Sequence, residues 1–386
     1  MAHCSNRLPV ALLVIALLAS ACDSAMPTPS ASTRPAVLNT PPAASTAVRP
    51  ASASVRATAA GSIPGNFAYV EGSPGRDVTL WLVDLSGARP PATVAQWTLG
   101  SHTWAASRDG KTIVVAAPGA HSIVALHLVR PLTGEATVLY EGPSDARAFF
   151  QRLSPDGKRF AFSLGRAAGW DGLWVGDVSD GTVRQLLPQP IPRDPTSGSV
   201  FPISWSDDGN WLTYSAADES DLGAGPKIFA HNVVDGRRVI VGKGSLVSWR
   251  EQEPRLLVAT NGGSGSQGAF GATLYTFDLS QQRRAELFSF DPRVTAVAWN
   301  PARDEFAYLL ETTGCSYHAA LWVSTARGAA GRVGSVDSAE DAWWSSDGAT
   351  IYALARGVGT DAVVLDATSA REVAKIPNGG PAQSCT

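Results

Sequence analysis

The stretch Ser154-Pro-Asp-Gly-Lys-Arg-Phe-Ala-Phe162 carries the pattern that decides the fold. Its Asp156-Gly157 pair predicts a tight turn, because Asp accepts hydrogen bonds from neighbouring backbone amides and Gly takes a positive φ without steric cost. The run that begins at Phe160 has the aromatic and apolar composition of a strand. The stretch therefore predicts two short strands joined by an Asp-Gly turn.

This strand-turn-strand pattern recurs along the 386-residue chain. Three further copies keep the Asp-Gly pair: Ser107–Val115, Ser206–Tyr214 and Ser345–Ala353. Three weaker copies have lost it: Phe67–Tyr69, Trp249–Val258 and Asn300–Tyr308. A second apolar run, often ending in Asp, follows each copy, as in Leu173–Asp177.

The spacing of the copies indicates a closed ring of repeats. The residues that open the strand after the turn are 44 to 52 residues apart: Phe67, Ile113, Phe160, Leu212, Leu256, Phe306 and Ile351. A unit of this length with four short strands is the size of a propeller blade, and it cannot bury both of its faces alone. We therefore predict an all-β fold, a seven-bladed β-propeller of four-stranded antiparallel blades, over residues 62–386.

The repeats, Trp-Ser-x-Asp-Gly followed by an apolar triplet and later by a strand ending in Asp, resemble the β-propeller repeats of the TolB type. Asp109, Asp156, Asp208 and Asp347 carry the shared turn, and the resemblance covers roughly residues 62–386. It implies a propeller fold. TolB has an additional N-terminal α/β domain for which the preceding spacer leaves no room, so the role of TolB is not implied.

The sequence leaves the closure of the ring open. The innermost strand of the first blade is expected near Thr58 to Ser62, although this is poor strand sequence. The alternative is a strand from the tail after Pro377, but Gly379-Gly380-Pro381 is equally poor.

Residues 1–21 have the features of a secretory signal peptide. Arg7 precedes an apolar run, Val10 to Ala19, that is about half as long as a membrane-spanning helix. Small residues and Cys22 follow in an order that resembles a bacterial lipobox, although Ala19 stands where that family more often has Leu. The resemblance implies a diacylated Cys22 as the mature N-terminus. The alternative is an ordinary signal peptide followed by an unrelated cysteine.

Residues 22–61 are predicted to be the lipidated Cys22 and a disordered spacer. Of the 40 residues from 23 to 62, 29 are Ala, Ser, Pro or Thr. Such a composition offers too little apolar burial to offset the entropy of ordering, and its prolines keep the chain extended. We expect an exported protein held to the cell membrane by its lipid anchor alone, on the periplasmic or extracellular face.

Two cysteines remain after the predicted anchor, Cys315 and Cys385. Cys315 is expected between the second and third strands of blade six, and Cys385 after the last strand of blade seven. Those connections lie on one face of neighbouring blades, and an exported protein meets oxidising conditions. We predict a disulfide between them; two free thiols are the alternative.

No motif with catalytic spacing occurs, neither Gly-x-Ser-x-Gly, His-Glu-x-x-His, Cys-x-x-Cys nor a Walker loop. Four Asp residues recur at equivalent repeat positions, which favours a structural role at strand ends: Asp84, Asp177, Asp278 and Asp366. The histidines fall in different repeats and are interpreted as solvated or hydrogen-bonded strand residues: His102, His121, His127, His231 and His318. We predict no catalytic residue, no metal site and no cofactor.

The longest predicted loops are the candidate binding region, because propellers bind through loops of atypical length. They are Gly165–Gly172, Pro188–Phe201, Ala217–Pro226 and Asn261–Gly271, all on the same face as Cys315. The proposed ligand-binding residues on that face are Trp170, Arg193, Asp194, Tyr317 and His318. An exposed aromatic residue beside Arg is typical of interface anchors. The alternative is that these loops are long without binding anything.

The net charge of −3 makes a nucleic-acid partner improbable. The leading hypothesis is a monomeric, membrane-anchored, extracytoplasmic propeller that binds a protein, peptide or glycan partner without catalysis. The alternatives are an extracytoplasmic propeller enzyme, either lactonase-like or a glycan-active hydrolase or lyase, and a small-molecule sensor.

Overall fold

The computed structural model describes residues 49–50, 55–72, 77–98, 104–166, 169–187, 200–216, 227–261, 271–311, 319–325, 330–333, 339–356, 361–369 and 371–377. These residues form strands and turns, and none of them is helical. Within these ranges there is accordingly no apolar helix of membrane-spanning length.

The strands form seven antiparallel sheets, each corresponding to one repeat. Blades 1 and 2 contain β1 (Arg49–Pro50), β2 (Val55–Ala57), β3 (Phe67–Gly72), β4 (Asp77–Asp84), β5 (Ala92–Thr98), β6 (Trp104–Ala106), β7 (Ile113–Ala117), β8 (Ala125–Arg130) and β9 (Glu135–Tyr140). Blades 3 and 4 contain β10 (Arg147–Leu153), β11 (Arg159–Arg166), β12 (Gly169–Asp177), β13 (Val183–Leu187), β14 (Phe201–Trp205), β15 (Trp211–Ala216), β16 (Lys227–Asn232) and β17 (Arg238–Lys243). Blade 5 contains β18 (Leu246–Trp249), β19 (Arg255–Asn261), β20 (Ala272–Asp278) and β21 (Arg283–Phe290). Blades 6 and 7 contain β22 (Val294–Trp299), β23 (Glu305–Glu311), β24 (Ala319–Thr325), β25 (Ala330–Arg332), β26 (Ala339–Trp344), β27 (Ile351–Arg356), β28 (Ala362–Asp366) and β29 (Arg371–Ile376).

Seven apolar cores hold the ring together, and each is shared by two neighbouring blades. Between blades 3 and 4, for example, Trp205 and Tyr214 of blade 4 pack against Leu173 of blade 3. The core that contains Val70 and Val364 joins blade 7 to blade 1 and closes the ring. The predicted seven-bladed propeller, which the TolB-type resemblance also implied, is confirmed.

The Asp-Gly turns have the predicted geometry. In blade 3 the Ser154 hydroxyl donates to Asp156 (2.7 Å) and accepts from the Arg159 N–H (2.9 Å), while the Lys158 N–H donates to Asp156 (3.1 Å). Gly157 has a φ of 71°, which only Gly adopts without strain. The same residue types make the same bonds in blades 2, 4 and 7.

The N-terminal strands correct two sequence-based expectations. β2 pairs with β5, the last strand of blade 1, and the Thr58 N–H donates to the Val94 carbonyl, so this segment lies on the outer edge of the blade and not at its centre. β1 pairs in the same way with β9 of blade 2. The expectation of an innermost strand near 58–62 is therefore wrong, and the spacer predicted over 22–61 contains strands. Val55 is 6% exposed in the core between blades 1 and 2, which explains why this segment is ordered.

The two faces of the ring differ in their connections. The turn face carries the Asp-Gly turns and the turns between third and fourth strands. The loop face lies at the ends of the second and fourth strands, such as Arg166 of β11 and Leu187 of β13, which flank the predicted long loops. The loop expected over 165–172 is wrong in part, because the ladder of β11 and β12 continues to the pair Arg166–Gly169 with a bulge at Leu164.

Candidate functional site

The first strands of blades 2 to 7 contact one another in succession and therefore surround the axis of the ring. These strands are β6, β10, β14, β18, β22 and β26. In blade 1 no described strand lies inside β3. The space that these innermost strands surround is called the channel below, and it is where propellers commonly bind ligands.

Of the residues predicted for ligand binding, only Trp170 lies in a described strand. It belongs to β12 and pairs with Gly165, but its side chain is outside the described atoms. Arg193, Asp194, Tyr317 and His318 are outside the described residues. Cys22, Cys315 and Cys385 are outside them as well, so the anchor and the disulfide stay predictions.

An aromatic pair with one exposed member lies where the innermost strands of blades 3 and 4 meet. Phe150 interrupts the ladder of β10 at a bulge between Phe149 and Arg152, and its φ is 53°. A positive φ is strained for an aromatic residue. The ring of Phe150 is 37% exposed and meets the ring of Phe201 edge to face, with centroids 4.4 Å apart. The bulge thus directs an aromatic side chain toward solvent at the seam between two blades.

Arg152 lies two residues after Phe150 on the same strand. Its Nε donates to the Ile203 carbonyl of blade 4 (2.6 Å), and one terminal nitrogen donates to the Gln151 carbonyl (2.9 Å). Both acceptors are neutral, and among the described residues no carboxylate forms an ion pair with Arg152. Burial lowers the pKa of its guanidinium. Arg152 as a residue is nevertheless partly exposed.

Asp341 is the counterpart of Arg152 on blade 7. It lies on β26 next to a bulge at Ala339, and the Ala342 N–H donates to its carboxylate (2.8 Å). Burial raises the pKa of Asp341 to about 6, and that single hydrogen bond lowers it only in part. The residue also has exposed surface. Asp341 is thus a solvent-accessible carboxylate on the innermost strand of blade 7.

The end of the channel at the turn face is bridged by charges. Arg108, in the Asp-Gly turn of blade 2, forms an ion pair with Asp207 of blade 4 and a second one with Glu251 of blade 5 (3.2 Å). Burial and the nearby Asp207 raise the pKa of Glu251, while Arg108 lowers it. One arginine therefore connects the turns of three blades across this end. The loop-face end has no comparable bridge among the described residues.

The recurrent carboxylates have the predicted structural role. Asp177 accepts hydrogen bonds from the Ser179 N–H (2.8 Å) and hydroxyl (2.6 Å), and Asp278 binds Ser280 in the same way. His127 is a strand residue as predicted, but it is fully buried. In the described part of the chain, no three metal-ligating side chains come together.

The repeat pattern of the sequence gives no indication of Phe150, Arg152 or Asp341, and Phe201 is the last residue of the predicted loop Pro188–Phe201. A separate signal exists, because Arg152 and Asp341 are charged residues in strands whose counterparts in other blades are uncharged. The pattern of turns alone does not show which side chains of an innermost strand face the channel. The bulges that set this direction are visible only in the ladder.

No protein-family model and no curated protein sequence matches the chain. In fold it is similar to oligogalacturonate lyases and to TolB. An oligogalacturonate lyase in complex with manganese is 12% identical, with a TM-score of 0.54, over 82% of this chain and 86% of that one. The lyase from Vibrio parahaemolyticus is 13% identical, with a TM-score of 0.53, over 80% and 85%. TolB from Acinetobacter baumannii is 18% identical, with a TM-score of 0.45. The match covers 68% of this chain and 62% of the TolB chain, which is less than two thirds of TolB's length. The likeness to the two lyases, at these identities, shows the fold alone.

Proposed function

We propose that the chain is a membrane-anchored, extracytoplasmic propeller that binds a protein, peptide or glycan at the loop-face end of its channel without converting it. The observation that carries this proposal is Phe150. Its strained φ of 53° places an exposed ring against Phe201, at the seam of two blades. Backbone strain that is held by surrounding structure is concentrated at ligand sites, and exposed aromatic residues beside arginine are frequent binding anchors.

The location rests on the N-terminal sequence. The signal-peptide features of residues 1–21, the lipobox-like Cys22 and the spacer before β1 support a lipid anchor outside the cytoplasm. Metabolic labelling with palmitate tests this part of the proposal. We expect label in the wild-type protein and none in Cys22→Ser; equal labelling of both, or none in either, contradicts a lipid on Cys22.

An enzyme is the second candidate, because of Asp341. A carboxyl group with a pKa of about 6 exchanges protons readily near neutral pH, as a general acid or base requires. Two proteins of similar fold are lyases that act on oligogalacturonate. This candidate is an extracytoplasmic hydrolase or lyase in which Asp341 transfers the proton.

A thermal-shift screen of peptides, oligosaccharides and small metabolites tests binding and separates the two candidates. Phe150→Gly removes the ring and relieves the strain, because Gly takes a positive φ freely. Ile240→Ser is the matched control, since it removes a 57% exposed side chain from the outer strand β17. We expect ligands that stabilise the wild type and Ile240→Ser but not Phe150→Gly, and mass spectrometry should recover them unchanged.

Two outcomes would overturn the binding proposal. If a ligand raises the melting temperature of Phe150→Gly as much as that of the wild type, it binds elsewhere on the protein. Chemical conversion of a bound ligand that is abolished by Asp341→Asn establishes the enzyme instead.

A further inference from the structure

Among the six first strands of blades 2 to 7, charged residues occur in two blades; in blade 1, Glu71 of β3 accepts a hydrogen bond from the Trp104 indole of β6 (3.1 Å). β10 of blade 3 contains Arg147 and Arg152, and β26 of blade 7 contains Glu340 and Asp341. The four other strands, β6, β14, β18 and β22, contain none. Blades 7 and 3 are separated by two blades in one direction and by three in the other, so they form nearly opposite walls. Arg152 and Asp341 therefore lie on strands at nearly opposite sides of the ring.

Neither channel charge is compensated within the described structure. Arg152 donates only to backbone carbonyls, and Asp341 accepts only a backbone N–H. No ion pair connects either side chain to an opposite charge among the described residues. Surface charges elsewhere are commonly paired, as Arg166 is with Asp171 (2.9 Å) and Arg250 with Asp304 (2.6 Å). A ligand that carries both an anion and a cation would pair with both of these charges.

We propose that the channel binds a linear zwitterion, a peptide or amino-acid-like ligand whose carboxylate is held by Arg152 and whose amine is held by Asp341. The inference rests on the proposed binding function and names the chemical class of its ligand. The planar guanidinium donates paired hydrogen bonds to a carboxylate, and the carboxylate of Asp341 accepts from an ammonium group. The rings of Phe150 and Phe201 provide an apolar surface for the chain between the two charges.

A ligand with a single charge fits this channel less well. A simple carboxylate pairs with Arg152 but leaves Asp341 without a partner and is repelled by it. A simple amine pairs with Asp341 but leaves Arg152 without a partner and is repelled by it. A zwitterion aligned across the channel compensates both walls at once and is oriented by them. The channel should therefore bind a zwitterion more tightly than an analogue that has only one of the two charges.

The test measures affinities by calorimetry for ω-amino acids of increasing chain length, together with analogues that lack one charge. Aminocaproate, caproate and hexylamine form one matched set. We expect one chain length at which the zwitterion binds at least roughly tenfold more tightly than either analogue. Arg152→Gln should remove the preference for a carboxylate, and Asp341→Asn the preference for an amine, each weakening zwitterion binding by roughly tenfold or more.

Control variants make the same charge changes in ion pairs of outer strands, with Arg284 on β21 and with Asp361 next to β28, paired with Lys375 of β29. Arg284→Gln and Asp361→Asn remove charges that are ion-paired away from the channel, so zwitterion binding should not change. If Arg152→Gln unfolds, Arg152→Lys replaces it in the test. Lys keeps the positive charge but lacks the paired donors, so the affinity for the zwitterion should fall less than in Arg152→Gln.

Two results overturn the inference. In one, no ω-amino acid binds more tightly than both of its analogues; in the other, the preference persists in Arg152→Gln and Asp341→Asn. Neither result removes the proposed function, because a ligand from the screen that depends on Phe150 would still establish binding.

Discussion

At the residue scale, the propeller combines repeated structural groups with a few exceptions that have no counterpart in other blades. The Ser154–Asp156 hydrogen bond has an equivalent Ser–Asp bond in three other blades, because each Asp-Gly turn needs the same hydrogen bonds. Phe150 is the one aromatic residue with a positive φ among the described residues, and Asp341 has a pKa that burial raises to about 6. Departures from a repeated pattern that cost stability are expected at functional sites.

His127 is a further exception, and it predicts a pH dependence of stability. Burial lowers its pKa, and the Pro118 carbonyl and the Glu141 carboxylate offset that effect only in part. The native state therefore keeps His127 neutral at a pH where the unfolded chain binds a proton. The stabilisation is complete above the unfolded pKa of about 6.5 and is lost progressively as the pH falls below it.

His127→Gln removes this titration. Urea denaturation should show the free energy of unfolding of the wild type falling more steeply than that of the variant below about pH 6.5, with a difference in slope of up to about 1.4 kcal/mol per pH unit. His121→Gln, at an exposed site in the same blade, should behave like the wild type. Parallel pH profiles of the wild type and His127→Gln would contradict a neutral His127.

At the element scale, the repeated turns and strands were predictable from sequence because their signals are local. Asp-Gly pairs and apolar runs are visible within nine residues, and they place the blades correctly. The outer position of β2 was not predictable, because Val55 is a single apolar residue in an Ala- and Ser-rich segment and its burial depends on two assembled blades. The site residues were missed for a related reason, since bulges decide which side chains reach the channel.

The strands β1 and β2 form an N-terminal strap over the outer edges of blades 2 and 1. Deletion of residues 2–57 removes the strap, whereas deletion of residues 2–48 keeps it. We expect the longer deletion to lower the free energy of unfolding in urea by about 2 kcal/mol or more, because it exposes the apolar surface that Val55 covers. The shorter deletion should not change stability. Equal stabilities of the two proteins, or a Val55→Ala variant as stable as the wild type, would contradict a stabilising strap.

At the scale of the whole molecule, the ring brings together residues that are far apart in sequence. Its seven shared cores place Arg152 and Asp341 on nearly opposite walls, although they are 189 residues apart. The same geometry lets Arg108 bridge the turn-face end. Phe201 begins β14 at the loop-face end, so the aromatic pair of blades 3 and 4 lies toward the end that we propose for ligand entry.

Amide hydrogen exchange with and without a stabilising ligand tests the location of binding most directly. The central claim is that ligands bind among the innermost strands at the seam of blades 3 and 4. Ligand should therefore slow exchange most in β10 and β14, while the outer strands β17 and β21 exchange as in the free protein. Protection confined to the outer strands, with none in β10 or β14, would contradict the claim.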